Sequence, residues 1–156
     1  MKISLICMGK TKPGYIQAGI QEYIKRVNRY ASFDYIEIPD FKKGKNLSEN
    51  EIRKKEGELI LAKVNPASTL VLLDEKGRQF SSTDFANSLQ SKLSLGKNLC
   101  IVIGGAYGFS EEVYQKANEK VSLSRMTFSH QMVRLIFLEQ LYRAFSILKG
   151  EPYHHS

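Results

Sequence analysis

The sequence predicts an α/β fold with one mainly parallel sheet, and three observations support this prediction. Short apolar segments alternate with segments whose apolar residues recur at helical spacing, which is the pattern of βαβ units. Two of the short segments, Lys2 to Met8 and Leu99 to Ile103, are apolar on both faces, as expected for strands that helices cover on each side. The chain has 156 residues, of which 42% are hydrophobic and 25% charged, as in an ordinary globular protein. We therefore predict a single domain over residues 1–156.

The first half of the chain alternates strand and helix twice. After the strand Lys2 to Met8 comes a helix with apolar residues Ile16, Ile20, Tyr23, Ile24 and Val27. A second strand, Phe33 to Ile38, ends at Pro39. Ser48 and Glu51 then form the capping-box pattern that begins a helix. The apolar residues of this helix are Ile52, Leu59, Ile60 and Val64.

The second half of the chain continues the alternation. Thr69 to Leu73 is the third strand, and Asp84 to Leu95 is a helix. The apolar face of that helix consists of Phe85, Leu89 and Leu93. The fourth strand, Leu99 to Ile103, is followed by a helix from Glu111 to Asn118 that Ser110 caps. Val121 to Leu123 is predicted as a short fifth strand.

The last predicted helix, Gln131 to Lys149, is apolar nearly all round. Gly150 and Pro152 follow it as stop signals. One face carries Val133, Phe137, Leu141, Ala144 and Leu148, and other faces carry Leu135, Ile136, Tyr142 and Ile147. Such a helix must be covered on more than one side. The second cover is either another subunit or the core of the same chain, and we favour another subunit because a chain terminus is more easily placed at the surface.

The end of the fourth strand is the leading candidate for a binding site. Ile103 is followed by Gly104, Gly105 and Gly108, and glycine lets the backbone approach a flat ligand because it has no Cβ. About twenty residues later a second irregular stretch, Leu123 to Phe128, precedes the last helix. Ligands of parallel sheets collect at the carboxyl ends of the strands, so the two segments are predicted to form opposite walls of one pocket. Taken alone, the glycines are explained equally by a tight strand-to-helix turn.

Several classes of function are disfavoured by the patterns around the candidate motifs. Gly9-Lys10-Thr11 resembles the end of a phosphate-binding loop, but that motif needs a glycine where Ser4 stands. The glycines after Ile103 do not have dinucleotide-binding spacing. Cys7 and Cys100 lie in apolar segments, and the three histidines are too scattered to form a metal site with them. From these cysteines and histidines we expect a protein of the reducing cytoplasm without a metal. The apolar runs are far too short to span a membrane.

The chain is basic, with 23 Lys and Arg residues against 16 Asp and Glu residues and a formal net charge of +7. This balance favours polyanionic partners such as nucleic acid. Lys42, Lys43 and Lys45 cluster in one predicted loop, and Arg53 to Lys55 cluster on a predicted helix. A solvated helix face explains the second cluster as well as RNA binding does.

Polar residues at both ends of the last helix are candidates for chemistry. A neutral imidazole at His130 can exchange a proton near neutral pH, although a lone histidine is more often a helix cap or a core residue. Arg134 lies near the apolar face, which favours a specific anionic partner, with a buried pair to Glu139 or another carboxylate as the competing account. Beyond the helix, Tyr153 and His154 suit an RNA base, and a frayed terminus is the alternative.

Short motifs along the whole chain combine in a way that resembles one family. They are Met1-Lys2-Ile3 with Gly9-Lys10, Glu22-Tyr23 with Arg26, Ile36-Glu37-Ile38-Pro39, Lys55-Glu56-Gly57, Ile103-Gly104-Gly105 with Gly108, Met126-Thr127-Phe128 with His130, and Leu141-Tyr142-Arg143-Ala144 before Tyr153-His154. With these motifs the chain resembles the small bacterial SPOUT methyltransferases that modify a pseudouridine in large-subunit ribosomal RNA. The combination is far more specific than any single match.

The resemblance implies a Rossmann-like α/β sheet whose C-terminal portion forms a trefoil knot, a feature that periodicity does not show. It also implies S-adenosylmethionine as the cofactor. By matching position, the cofactor would contact Leu73, Gly104, Gly105, Leu123, Ser124, Arg125, Met126, Thr127 and Phe128. The family further implies a cytoplasmic homodimer built partly on the last helix, in which the partner's C-terminal tail completes the active site. A non-catalytic RNA-binding module with the same fold is the alternative.

The implied reaction transfers a methyl group to N3 of a pseudouridine in assembled ribosomes. N3 carries a proton in the neutral base and must lose it before or during the attack, while the pocket supplies orientation. His130 is the first candidate for the base, His154 is the second, and water is a third. Arg134 and Arg143 are predicted to hold an RNA phosphate or the cofactor carboxylate. Tyr153 and His154 are predicted to hold the target nucleotide.

Two residues depart from the pattern of the family. Ser129 stands where family members commonly have proline, which would loosen the turn that positions His130. His155 stands where many members have arginine or lysine. Because His155 would be mostly neutral at pH 7, contacts of the tail to phosphate would be weaker in this chain.

Overall fold

The computed structural model describes residues 1–41 and 46–155, in which strands and helices alternate. The strands are β1 (Lys2–Met8), β2 (Ser32–Ile38), β3 (Thr69–Gln79), β4 (Leu99–Ile103) and β5 (Glu119–Ser122). The helices are α1 (Gly14–Val27), α2 (Glu49–Lys63), α3 (Ser82–Leu93), α4 (Glu111–Lys116) and α5 (Met132–Leu148). The predicted cluster of Lys42, Lys43 and Lys45 lies outside the described residues.

The five strands form one parallel sheet in the order β2-β1-β4-β3-β5. In the centre of the sheet, Ile3 of β1 lies opposite Phe33 of β2 on one side and Leu99 of β4 on the other. Parallel neighbours need crossover connections, which the helices supply. The prediction of an α/β fold with a parallel sheet is therefore confirmed, and the trefoil knot stays a prediction.

Alternate residues of β1 to β4 enter two apolar clusters on opposite faces of the sheet. On one face, Ile3 and Leu5 pack with residues of α1, α3 and α5. On the other face, Ile6 and Met8 pack with residues of α2 and α4. Helices on both faces explain why the central strands are apolar on both sides. Cys7 lies in the first cluster, where burial raises the pKa of its thiol to about 12 and leaves it inert.

Strand β3 is longer than the sequence predicts, because it continues beyond Leu73 to Gln79 through a polar segment. Leu73 and Arg78 both lie opposite Val121, so the four residues between them form a bulge against β5. A Cβ on Gly77 would lie 2.6 Å from the backbone of β5, so the two strands approach closely at this glycine. Backbone pairing with β5 rather than apolar burial extends the strand, and hydrophobic alternation cannot reveal such pairing.

Strands β1 and β4 have the predicted bounds, and several other elements are present with shifted ends. Helix α3 begins two residues earlier than predicted, because Ser81 caps it by accepting a hydrogen bond of 3.1 Å from the Asp84 N–H. It also ends two residues earlier than predicted, at Leu93. Helix α4 ends at Lys116, and β5 spans Glu119–Ser122 rather than beginning at Val121. Helix α5 is one residue shorter than predicted at each end.

Two predicted helix caps are confirmed. Ser48 and Glu51 form the capping box at the start of α2, in which each side chain accepts a hydrogen bond from the other residue's backbone N–H. Ser110 accepts a hydrogen bond of 3.3 Å from the Val113 N–H at the start of α4. Both helices therefore start where local sequence rules place them.

Helix α5 lies between α1 and α3 on one face of the sheet. A Cβ on Gly19 of α1 would lie 2.8 Å from a methyl carbon of Leu135, so the glycine lets the two helices approach. These neighbours supply much of the second cover of α5, which favours the account in which the chain's own core covers it. Ile136 and Tyr142 remain half-buried. Within the described residues, each helix is too short or too polar to cross a membrane.

Candidate functional site

A cavity of about 750 Å³ lies at the carboxyl ends of β4 and β5 and beside the bulge of β3. Its walls include Leu73 to Lys76 at this bulge, Ile103 to Phe109 from the end of β4 onward, and most of Val121 to His130 from the end of β5 onward. The two segments that the sequence predicts as opposite walls of one pocket therefore line the same cavity. This position, at the carboxyl edge of a parallel sheet, is where α/β proteins bind ligands.

Bare backbone forms the wall of the cavity at Gly104 and Gly105. A Cβ on Gly104 would lie 3.0 Å from the ring of Phe109, and one on Gly105 would lie 2.7 Å from Oε2 of Glu56. Glu56 is buried, with 6% of its surface exposed. The segment is also a tight turn, since the Gly108 N–H donates to the Gly105 carbonyl at 3.2 Å. The turn account and the binding-site account of these glycines are therefore compatible.

The facing wall is a compact turn after β5. The hydroxyl of Ser122 donates to the carbonyl of Ser124 at 2.9 Å, and the Met126 N–H donates to Oγ of Ser124 at 3.0 Å. Met126 is 78% exposed although it lines the cavity. Arg125 is exposed and is not among the described residues that line the cavity. The other residues predicted to contact the cofactor all line it.

Asp74 and Tyr114 also line the cavity, and neither was predicted from the sequence. The hydroxyl of Tyr114 donates a short hydrogen bond to Oδ2 of Asp74, and the Lys76 N–H donates to Oδ1 at 2.8 Å. Burial, helped by Asp74, raises the pKa of Tyr114 to about 12, so the phenol stays protonated. Asp74 directly follows the predicted contact Leu73, and this position was the available signal.

Arg53 of α2 reaches the cavity as well. Its Nη1 donates to the Tyr107 carbonyl at 3.3 Å and lies 3.9 Å from the Glu49 carboxylate. A solvated helix face explains Lys54 and Lys55, which are exposed, but it does not explain Arg53. Arg53 therefore brings a cation to a wall of the cavity that also carries carboxylates.

His130 lines the cavity just before α5. Partial removal of the ring from water lowers the pKa of His130 below its ordinary value, and the positive charge of Arg134 lowers it further. The preceding Ser129 accepts a hydrogen bond of 3.1 Å from the Met132 N–H at its Oγ. Ser129 therefore stabilises the turn before the helix, and the expectation that serine loosens this turn relative to proline stays a prediction.

Arg134 is fully buried and directs its guanidinium into the protein. Its Nη2 donates to the Met8 carbonyl at 2.8 Å, and its Nη1 donates at 2.9 Å to both the Gly9 carbonyl and the Thr11 hydroxyl. Its Nε donates to the His130 carbonyl at 3.1 Å. Each guanidinium nitrogen therefore has an acceptor inside the protein.

The structure corrects the prediction that Arg134 holds an RNA phosphate or the cofactor carboxylate, because the buried guanidinium faces neither solvent nor the cavity. The competing account of a buried ion pair is the better one. Its partner is Glu37 on β2, whose Oε2 lies 3.5 Å from Nη1, rather than Glu139. The sequence left open Glu139 or another carboxylate as the partner, and Glu37 becomes a neighbour of Arg134 only when the sheet forms.

The C-terminal tail packs against α5 instead of fraying. Tyr153 donates to Oε1 of Glu139 at 3.0 Å, and the guanidinium of Arg143 lies 4.9 Å from the centre of the Tyr153 ring. Nη1 of Arg143 lies 3.1 Å from Nδ1 of His154. Arg143, Tyr153 and His154 are not among the described residues that line the cavity. Within one chain, these predicted RNA contacts therefore do not join His130.

The described residues contain no group of His, Cys, Asp and Glu side chains arranged to hold a metal ion. The chemistry that the cavity can offer comes instead from bare backbone at the glycines, the carboxylate of Asp74, the guanidinium of Arg53 and the imidazole of His130. Such a set suits binding of a polar small molecule together with transfer of a proton.

Comparisons with known proteins concern the family and the fold of the chain. A family model described as "Predicted SPOUT methyltransferase" matches residues 1–154. The chain is 57% identical over 156 residues to ribosomal RNA large subunit methyltransferase H of Christiangramia forsetii, with 99% of each chain covered. It is 56% identical, again with 99% of each covered, to the protein of the same name from Parabacteroides distasonis.

A solved structure shares the fold at low sequence identity. The crystal structure of tRNA (m1G37) methyltransferase from Aquifex aeolicus has a TM-score of 0.58 and 14% sequence identity to this chain. The match covers 100% of this chain and 76% of the solved one. At this identity the likeness concerns the fold alone.

Proposed function

The chain belongs to the SPOUT methyltransferase family, and from this membership we propose that it transfers a methyl group from S-adenosylmethionine to N3 of a pseudouridine in 23S ribosomal RNA. The observation that carries the proposal is the cavity at the strand ends. It is lined by Leu73, Gly104, Gly105 and most of the segment 123–128, which match the cofactor-binding positions of the family. The full-length likeness to large-subunit ribosomal RNA methyltransferases supports the substrate.

The residues of the cavity fit S-adenosylmethionine. A volume of about 750 Å³ lies in the range of small-molecule sites, roughly 300 to 1,000 Å³. The glycine backbone at Gly104 and Gly105 allows close approach of a flat ring, while Leu73 and Val133 supply apolar contact. The carboxylate of Asp74 is an acceptor for ribose hydroxyl or ammonium groups. When bound, the cofactor supplies an electrophilic methyl group on a positively charged sulfur.

The proposed base that takes the proton from N3 is His130, which lines the cavity. The methyl transfer forms a bond from N3 to carbon and breaks the bond from carbon to sulfur, so the N3 proton must leave to a base. A lowered pKa keeps the imidazole of His130 neutral near pH 7, and only the neutral ring accepts a proton. His154 is the weaker candidate, since it lies beside Arg143 and away from the cavity of its own chain. Water remains the competing acceptor.

A homodimer in the bacterial cytoplasm is part of the same proposal, as are the trefoil knot and a single domain over the chain. Tyr153 and His154 follow α5, contact its side chains Arg143 and Glu139, and do not join the cavity of their own chain. A partner's tail would bring these groups to the target nucleotide, as the family implies. The net charge of +7 on each chain supports binding to ribosomal RNA.

The experiment that tests the proposal uses isotopically labelled S-adenosylmethionine and ribosomes from cells that lack this gene. After incubation with the purified protein, mass spectrometry of the ribosomal RNA locates the label. Methylation of one large-subunit pseudouridine is the expected result. Binding of the cofactor without methylation would contradict the proposed substrate. Binding of RNA with neither methylation nor cofactor binding would instead favour the non-catalytic RNA-binding module.

A further inference from the structure

A set of hydrogen bonds joins the start of α5 to the loop that follows β1. Gln131 donates from Nε2 to the Lys10 carbonyl and accepts at Oε1 from the Lys12 N–H, both at 3.0 Å. Arg134, one turn along, binds the carbonyls of Met8 and Gly9 at 2.8 and 2.9 Å. We call this arrangement, Gln131 and Arg134 with the loop of residues 8–12, the loop–helix clamp.

The loop side of the clamp is itself held by β2. The Thr11 N–H donates to Oε2 of Glu37 at 2.7 Å, and the Thr11 hydroxyl lies 2.7 Å from the hydroxyl of Tyr35. Thr11 is 6% exposed, and its hydroxyl also accepts from Arg134. The clamp therefore ties the helix to a loop that the sheet already fixes.

Core stability alone does not account for a guanidinium at this position. Arg134 is 0% exposed, and Phe137 and Leu138, one turn further along the same helix, are also buried. Removal of a charged group from water costs several kcal/mol, and well-packed apolar residues often replace buried ion pairs without loss of stability. A rigid guanidinium that binds several backbone carbonyls fixes the geometry of the surrounding backbone, and an apolar side chain cannot do this.

The backbone that the clamp defines includes His130. Nε of Arg134 binds the His130 carbonyl at 3.1 Å, and Gln131 is the next residue in the chain. We propose that Arg134 and Gln131 are positioning residues, which hold His130 in place at the wall of the cavity. This inference rests on the proposed function for the role of His130 as the base, although the placement of the ring can be tested without it.

The charges that face His130 belong to three segments. Arg134 on α5 and Lys12 in the loop lower the pKa of His130, whereas Asp40 after β2 raises it, and removal of the ring from water is the largest effect. If the His130 ring leaves its position and becomes solvated, the largest effect that lowers its pKa is lost. The titration of His130 is therefore a measure of where the ring lies, separate from catalysis.

Two substitutions test the clamp. Arg134→Lys keeps the positive charge but cannot bind all the acceptors of the guanidinium, and Gln131→Ala removes both bonds to Lys10 and Lys12 while it leaves Arg134 in place. Arg29→Lys is the matched control, because Arg29 is exposed at the end of α1. The measurements are the melting temperature, affinity for S-adenosylhomocysteine by calorimetry, the single-turnover rate on ribosomes, and titration of His130 by NMR, with His130→Gln used to assign the signal.

The expected result is a loss of rate without a matching loss of cofactor binding. Displacement of a reacting group by about 1 Å costs up to about 100-fold in rate, so we expect both variants to lose about 10- to 100-fold while the affinity changes little. The pKa of His130 should move up toward 6.5 in both variants and stay unchanged in Arg29→Lys.

The proposal would be overturned if the variants melt at a lower temperature but keep the rate and the His130 titration of the natural protein. The loop–helix clamp would then contribute to stability alone. If Arg134→Lys fails to fold, Gln131→Ala decides by the same criteria. If the natural protein itself transfers no methyl group, the proposed function fails, and the NMR titration still decides whether the clamp places His130.

Discussion

Replacement of Gly105 by alanine is expected to weaken binding of S-adenosylmethionine. The added Cβ would lie 2.7 Å from Oε2 and 2.8 Å from Oε1 of Glu56, which is closer than such atoms can approach. Glu56 is 6% exposed, so its carboxylate has little space into which it can move. The strain must therefore shift either Glu56 or the backbone of Gly105. A shift of the Gly105 backbone narrows the cavity.

The size of the effect follows from the cost of overpacking, which is about 1 to 3 kcal/mol for an added carbon in a packed site. Since about 1.4 kcal/mol corresponds to a tenfold change in Kd, the Kd rises by about 5- to 150-fold if all the strain moves the backbone into the cavity. Any part relieved by movement of Glu56 appears instead as a lower free energy of unfolding. The two losses together should amount to about 1 to 3 kcal/mol.

Calorimetry with S-adenosylmethionine and chemical unfolding of the same preparation measure the two losses. Gly14→Ala is the matched control, because Gly14 is exposed at the first turn of α1 and its Cβ would meet no atom within 4 Å. The control should keep its affinity and gain slightly in stability, since alanine favours a helix. The reasoning is refuted if Gly105→Ala behaves like the control in both measurements. A loss of stability with unchanged Kd would mean that Glu56 moves and the Gly105 backbone does not, and it would contradict the expected weakening of cofactor binding.

Three further predictions concern the sheet, the base and the tail. Gly77→Ala should lower the free energy of unfolding by about 1 to 3 kcal/mol or more, since its Cβ would lie 2.6 Å from the backbone at Val121. An unfolding midpoint like that of Gly14→Ala would contradict the expected loss of stability. The methylation rate should fall as the pH drops below 6.5 and through the lowered pKa of His130, because the protonated ring accepts no proton. The pH–rate profile should lose this limb in His130→Gln, and a limb that persists assigns the base elsewhere. Tyr153→Ala should reduce turnover on ribosomes more than it reduces cofactor affinity, with Tyr153→Phe as the control that keeps the ring, and unchanged turnover would exclude the tail from the mechanism.

Much of the fold could be predicted because its signals are local. Leu99 to Ile103 is apolar on both faces, which indicates a strand between two layers of helices. The cap at Ser48, which begins α2, depends on hydrogen bonds within one turn. The cavity could be located for a related reason. Carboxyl ends of parallel strands meet at one edge of the sheet, so Gly104 and the segment after β5 had to lie near each other once the strands were assigned.

Residues whose role depends on distant partners could not be read in the same way. The extension of β3 depends on pairing with β5 across a bulge, and its polar side chains give no hydrophobic signal. Arg53 looks like a member of a solvated cluster until α2 is packed beside the turn that carries Tyr107. Asp74 is a partial exception, because its place after Leu73 at a strand end indicates the cavity even without the tertiary structure.

By itself, the sequence determined the order of strands and helices, the parallel sheet and the glycine wall of the binding cavity, since these depend on periodicity, caps and backbone freedom over short stretches. The tertiary structure alone decided what Arg134 does. Its acceptors at Met8, Gly9 and Thr11 lie more than 120 residues away along the chain, and from the sequence the partner of Arg134 was left open as an anionic ligand, Glu139 or another carboxylate. A buried charge takes the partners that folding brings to it, and the electrostatic cost of burial requires those partners to satisfy it fully.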